Sequence, residues 1–362
     1  MRPEKESGKK SAGPHRKFLA SPVEDASSLP SFDRSCAVRR IHSLDYVKTF
    51  LAVIVVLAHT NWLQTHLSPP VFVLGNGLLR TVVPLFCIIA GYFLHTAVER
   101  GRTVRWLWRV MALYLFWMVA YLPIWKGQVH SLWSLTTTLL WGFFHLWFLI
   151  GMFIAGLVLT GLNWMGRKIA PRHALWFVAV PAALCAVAGL ALEYADLFGV
   201  IQISEQRYRN GLFLCFPFLA IGYLIHSRIK APGARPLPSA RLLLPVTLAG
   251  LVLMGVEAWL VQSRLGLDVM IEIPFAGYVA VPALFLLCLQ VEMPPQPVDL
   301  GLISATIYFL HVWAFRLADV LGIHSLPGLM LMGVGVPVLA ALSYGAASGR
   351  LRGRAARRPH GG

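Results

Sequence analysis

The sequence predicts an all-α protein, a polytopic transmembrane helix bundle of about ten spans with both termini in the cytoplasm. Three observations carry this. Of 362 residues, 57% are hydrophobic and only 13% charged, whereas a soluble domain carries about 25% charged residues. The apolar residues are gathered into runs of about 17–22, the length that crosses a bilayer as helix, and a helix satisfies its own backbone polar groups in lipid. Finally, Lys and Arg alternate between crowded and sparse connecting segments. Of 32, 25 fall on one side and four (Lys126, Arg207, Arg209, Arg264) on the other, with Lys48, Arg80 and Arg316 inside spans. This is the positive-inside pattern, and it places the crowded side in the cytoplasm. A net charge of +16 would suit nucleic acid, but its segregation by loop points to membrane lipids as the partner and argues against nucleic acid.

Taken in order, residues 1–43 are polar, rich in Ser, Pro and charge, and read as a disordered basic cytoplasmic tail. They lack the apolar core of a signal peptide. The membrane domain covers 44–346, with spans at 44–63, 71–94, 104–123, 146–164, 174–192, 211–227, 242–261, 274–291, 301–320 and 327–346. The Thr- and Trp-rich stretch 131–143 reads as re-entrant or interfacial. Pro84 should kink the second span. Residues 347–362 form a second basic cytoplasmic tail. Five Cys show no metal or disulfide spacing, and those in spans read as small apolar residues. No metal site is expected.

Ionisable residues inside spans are costly, and by default they mark a pathway, relay or reaction site. Lys48 and His59 are eleven residues apart in the first span, three helical turns plus roughly 20°, so they share a face about 16 Å apart along the axis. Asp45 lies near the same stripe. Snorkelling explains Lys48 and a helix start explains Asp45, but neither explains why His59 shares their face. His145 and Trp147 open the fourth span; an aromatic belt accounts for the Trp but not the His. Arg80, about nine residues into the second span, needs a partner or water. In the ninth span His311 is followed by Arg316 and Asp319, spaced to pair. Glu257 is a buried acid with no partner evident in the sequence. Glu193, Asp196, Glu205, Arg207 and Arg209 crowd the loop before the sixth span, where solvation is the plain reading and substrate contact the other.

Four segments give this pattern a resemblance: LDYVKTFLAVIVVLAHTNW (44–62), VPLFCIIAGYFL (83–94), HLWFLIGMF (145–153) and ISATIYFLHVW (303–313), with RNGLFLCFPFLAIGYLI (209–225) fitting more loosely. In order and spacing they resemble the acyltransferase-3 family of integral membrane O-acyltransferases, which modify bacterial saccharides. Two positions depart from the family: Lys48 stands where it usually has Arg, and Ala90 where it often has Ser. Lys keeps the charge and loses the planar fork of a guanidinium.

The resemblance implies that His59, with Lys48 and Asp45, carries catalysis, His59 as general base or acyl relay. It implies that Arg80, His145, Trp147, Arg209 and His311 line the substrate pocket. Acetyl-CoA, or another acyl-CoA, would be the cytoplasmic donor, its phosphates held by Lys48 or by the arginines at 100–109. The acceptor would be a cell-surface or exported saccharide or a lipid-linked glycan, in the bacterial inner membrane and alongside polysaccharide-assembly machinery. The roughly 16 Å from Lys48 to His59 is close to the reach of an extended pantetheine arm. Two other readings remain open. One is a transporter or flippase for a glycan or small anion, although no internal repeat is seen. The other is a structural or sensory subunit whose polar residues bind helices together.

Overall fold

The computed structural model of the chain describes residues 41–356, apart from Asn61, Pro232, Ala234 and Arg235. The N-terminal tail up to residue 40 and the last six residues lie outside the described residues. The described chain is helical, with no strand. Its main helices are α1 (His42–Ala58), α2 (Pro69–Asn76), α3 (Val82–Glu99), α4 (Thr103–Ala120), α5 (Leu132–Trp141), α6 (Trp147–Ile169), α7 (Trp176–Leu197), α8 (Phe216–Lys230), α9 (Ala240–Leu265), α10 (Gly277–Gln290), α11 (Leu300–Val320) and α12 (Val336–Ala356). Each apolar run of the sequence falls on a helix. Large apolar side chains such as Phe116, Leu184, Val252 and Leu339 point outward, as contact with lipid tails requires.

The number of crossings is less uniform than the run count. Among the described residues seven helices are long and apolar enough to cross, or eight if the bent pair Thr103–Ala120 and Leu122–Gln128 is one span. At 17 and 14 residues, α1 and α10 are shorter than a typical crossing of about 20. The stretch 131–143 forms α5, ten residues long, about 15 Å at 1.5 Å per residue and too short to cross. Pro84 does not kink a span. It lies in the first turn of α3, where its missing N–H interrupts no helical bond, and the helix changes form earlier, in the 3₁₀ turn Leu78–Thr81. The first part of the segment expected as tail, from residue 347, continues α12 as far as Ala356.

The tightest seam joins α3 to α8. These helices run parallel, and their backbones touch because two glycines face each other. A Cβ on Gly91 would lie 1.9 Å from the Leu219 carbonyl oxygen, and one on Gly222 would lie 2.0 Å from that of Ile88. Small residues at such a crossing let van der Waals packing replace the hydrophobic drive that lipid cannot supply. Either contact involves backbone and cannot be relieved by rotating a side chain. Gly222→Leu should therefore lose most of the monodisperse protein recovered in detergent, while Gly345→Leu, on open surface, should recover like wild type. Size-exclusion chromatography of the two variants checks this.

A second device orders the loop before α10. Glu193, assigned to a loop from sequence, lies inside α7 and is wholly buried. Its carboxylate accepts the backbone N–H groups of Glu272 (2.5 Å) and Ile273 (3.0 Å). Glu257 on α9 accepts those of Phe275 and Ala276 at 2.6 and 3.0 Å, together with the Tyr194 hydroxyl. Asn76 accepts that of Ile271 at 3.0 Å. Buried backbone donors outside regular structure must find acceptors, and here three side chains from α2, α7 and α9 supply them. Glu257 thus has partners, although none in its own sequence neighbourhood. No ion pair forms between Arg316 and Asp319 among the described residues, so that expected pairing is not made.

Candidate functional site

The loop held by Glu193 presents Glu272 to two arginines. Arg80 Nη1 donates to Glu272 Oε2 at 2.7 Å, and Arg209 Nη1 to Oε1 at 3.1 Å. Arg209 also pairs with Glu205 at 2.5 Å, and Arg80 Nη2 reaches Asn76 Oδ1 at 3.3 Å. Arg80 sits within the helical stretch Pro69–Glu99, in the 3₁₀ turn that leads into α3. Arg209 is placed by its neighbour. Asn210 Oδ1 accepts from the N–H groups of Leu212 and Phe213, capping the helical segment that continues into α8, so Arg209 leaves that cap at a fixed angle. Its guanidinium lies 5.3 Å from the Trp147 ring centre, within cation–π range.

Three histidines meet on the other side. His59 closes α1, with its backbone N–H bonded to the Val55 and Val56 carbonyls. His311 on α11 is completely buried. The rings of His59 and His311 stack at 5.1 Å, 14° apart, and His59 Nδ1 lies 2.9 Å from His311 Nε2. His311 Nδ1 faces the carbonyl oxygens of Tyr308 (2.8 Å) and Ile307 (3.1 Å). A carbonyl can only accept, so Nδ1 of His311 carries the proton and Nε2 the lone pair. Neutral His59 then donates from Nδ1 and keeps its own lone pair on Nε2. The His145 ring centre lies 4.9 Å from that of His311 and 6.0 Å from that of His59, and neither of its nitrogens has a partner.

His145 is brought there by an uncommon turn. Gly142 has φ 80° and Phe144 φ 48°, a left-handed conformation that a bulky side chain rarely takes. The surroundings hold the turn in place: Tyr308 donates to the His145 carbonyl at 2.8 Å, and the Tyr121 ring, itself bonded to the Phe309 carbonyl, packs edge-on against the His145 ring. Local strain of this kind concentrates at functional sites.

These residues border one cavity of about 430 Å³. His59, Arg80, His145, Trp147, Arg209 and Glu272 all line it, so five of the eight residues singled out in sequence share a wall. His311 stands behind His59 as its hydrogen-bond partner. A smaller cavity of about 170 Å³ shares Phe144, Trp147 and Arg209 with the first. Lys48 and Asp45 are elsewhere. They form an ion pair of 2.7 Å near the start of α1 and do not border the cavity, nor do the arginines at 100–109. Glu272 was missed in sequence, as were the roles of Glu193 and Tyr121. Glu272 lies in a non-helical stretch between apolar runs and pairs only with residues far along the chain, so no local spacing marks it. Chemically, the arrangement offers a basic imidazole nitrogen backed by a second imidazole, opposite two guanidiniums fixed by a shared carboxylate.

Neither curated proteins nor solved structures give a match to the chain. Compared with known families, residues 41–347 match one described as an acyltransferase domain. That match covers most of the chain and the whole of the site, and the chain belongs to the acyltransferase-3 family of membrane acyltransferases.

Proposed function

We propose that the cavity carries O-acyl transfer from an acyl-CoA, acetyl-CoA in the simplest case, to a hydroxyl of an exported or lipid-linked saccharide in the bacterial inner membrane. The observation that supports it most is the hydrogen bond from His59 to a wholly buried His311, with the free nitrogen of His59 left for the cavity. His59 Nε2 takes the proton of the acceptor hydroxyl as its oxygen attacks the thioester carbonyl. The carbon–sulfur bond breaks, and the thiolate of coenzyme A leaves and takes the proton back from the His59 imidazolium, which returns the base to its neutral form. A neutral imidazole has a lone pair free to accept a proton, as a general base must. Arg80 and Arg209 face the developing oxyanion or the saccharide, and Trp147 offers an apolar face to a sugar ring. His311 holds the His59 ring in one tautomer.

This reading takes α1 and α10 as crossings alongside the longer helices, giving ten spans with cytoplasmic termini. His59 then lies towards the outer face and Lys48, held by Asp45, towards the donor side. Polysaccharide-assembly machinery is the expected source of the acceptor. The experiment is NMR of surface glycans isolated from wild-type, deletion and complemented strains. Ester-linked acyl signals should vanish on deletion and return on complementation. Identical spectra from all three would overturn the proposal and favour a transporter.

A further inference from the structure

The far ends of α3 and α8 carry a second cluster, remote from the cavity. His95 and Glu99 share one face of α3, one turn apart, and His95 is one turn beyond Gly91. On α8, His226 is one turn beyond Gly222. Because those glycines bring the two backbones together, the residues that follow them on the same faces must meet. The His95 and His226 rings stack at 4.7 Å, 18° apart. His95 Nδ1 lies 3.5 Å from Glu99 Oε2, longer than a good hydrogen bond. One ligand atom from each of the three residues lies within 4.8 Å of the other two.

The cluster is poorly satisfied as it stands. His95 and His226 are only 4% and 5% exposed. His95 Nδ1 and both nitrogens of His226 are buried without a hydrogen-bond partner; the Tyr92 backbone approaches His226 without completing a bond of good geometry. An unsatisfied buried polar atom costs about 1–3 kcal/mol, and one ring nitrogen from each histidine, close to the Glu99 carboxylate, is placed to share a common partner.

We propose that His95, Glu99 and His226 bind a divalent transition-metal cation, Zn²⁺ first among them, which clamps α3 to α8. Two imidazoles and one carboxylate suit borderline metals rather than Mg²⁺ or Ca²⁺, which prefer oxygen throughout. With metal–nitrogen bonds near 2.1 Å, tetrahedral ligands sit about 3.4 Å apart. Glu99 is exposed and has room to swing inward and close that gap. Three protein ligands leave a fourth position open. Arg167 and Lys230 lie near enough to act on His95 electrostatically, so that position favours an anion such as hydroxide or a phosphate oxygen. Spacing along the chain shows only the His95–Glu99 pair, one turn apart, because the third ligand comes from a helix far along the sequence.

The test uses full-length protein, purified in detergent without a polyhistidine tag and stripped with chelator. Zn²⁺ is titrated by calorimetry, and Co²⁺ by visible absorption, whose d–d bands report tetrahedral nitrogen and oxygen ligation. One equivalent should bind and raise the unfolding temperature. His226→Asn and Glu99→Gln should each weaken binding at least about tenfold and abolish the temperature rise, while His324→Gln, outside the cluster, should behave as wild type. Should His226→Asn fail to fold, Glu99→Gln decides, since its side chain is exposed. Binding that is absent in wild type, or unchanged in Glu99→Gln and His226→Asn, would overturn the proposal.

Discussion

Replacing His59 with alanine should leave a folded protein that transfers acyl groups about a thousandfold more slowly, the middle of the range for losing a positioned general base. Folding should survive because the residue is only half-buried, at the end of α1, and its loss orphans one nitrogen of His311. The loss should fall on kcat, with KM for the acyl donor little changed, since the base acts on a proton that moves only in the transition state. His311→Ala tests whether the two rings act as one unit. His59 would lose the acceptor that fixes its tautomer, and the double variant should be no slower than His59→Ala alone, because residues acting together are not additive. Initial rates on a soluble hydroxyl acceptor, with detection of free coenzyme A, measure all three. A His59→Ala enzyme within tenfold of wild type would remove His59 from the chemistry.

Glu272→Ala should be the most destabilising single change at the site. It leaves the guanidiniums of Arg80 and Arg209, each about one-fifth exposed, facing each other across an empty space without their shared counter-charge. Removing one partner from a buried ion pair costs about 3–5 kcal/mol, and the partial exposure of the arginines places this case towards the lower end. Thermal unfolding in detergent should show the loss. The double variant Glu272→Ala with Arg80→Leu should regain part of it, because the harm lies in the unpaired charge. Glu272→Gln, which keeps the shape and loses the charge, should fall between. An unfolding temperature unchanged in Glu272→Ala would mean that water already screens these arginines.

Helices and their order follow directly from apolar runs, which is why each predicted span falls on a helix. Lengths and bends do not, because they depend on what ends a helix. The run at 104–123 breaks at Tyr121, and α10 starts only after the segment tied to Glu257. The same limitation explains Glu193. A charged residue near the end of an apolar run reads as loop, yet this one stays in α7 because backbone N–H groups from a distant segment satisfy it, and such acceptors leave no trace in residue type. The candidate site divides similarly. His59, Arg80 and His145 carry side chains too costly to bury without reason, so cost singled them out, whereas Trp147 and Arg209 were marked only by the family resemblance. Glu272 carried no such signal. The Lys48–Asp45 pair was legible as a contact, since both lie on one helix, but the shared helix face that joined it to His59 does not place it at the cavity.

The carboxylate of Glu193 also sets an order of assembly. The backbone groups it receives lie 79 and 80 residues later in the chain. While the protein is being made, α7 enters the membrane before those donors exist. It must carry an unsatisfied acid until the segment at 272–273 has been synthesised and folded back. Glu193 is four residues from the end of α7, close enough for its side chain to wait among lipid headgroups. The loop that carries Glu272 to the two arginines therefore takes its place only after the segment at 272–273 has been made, so this wall of the cavity is completed later than the helices that frame it.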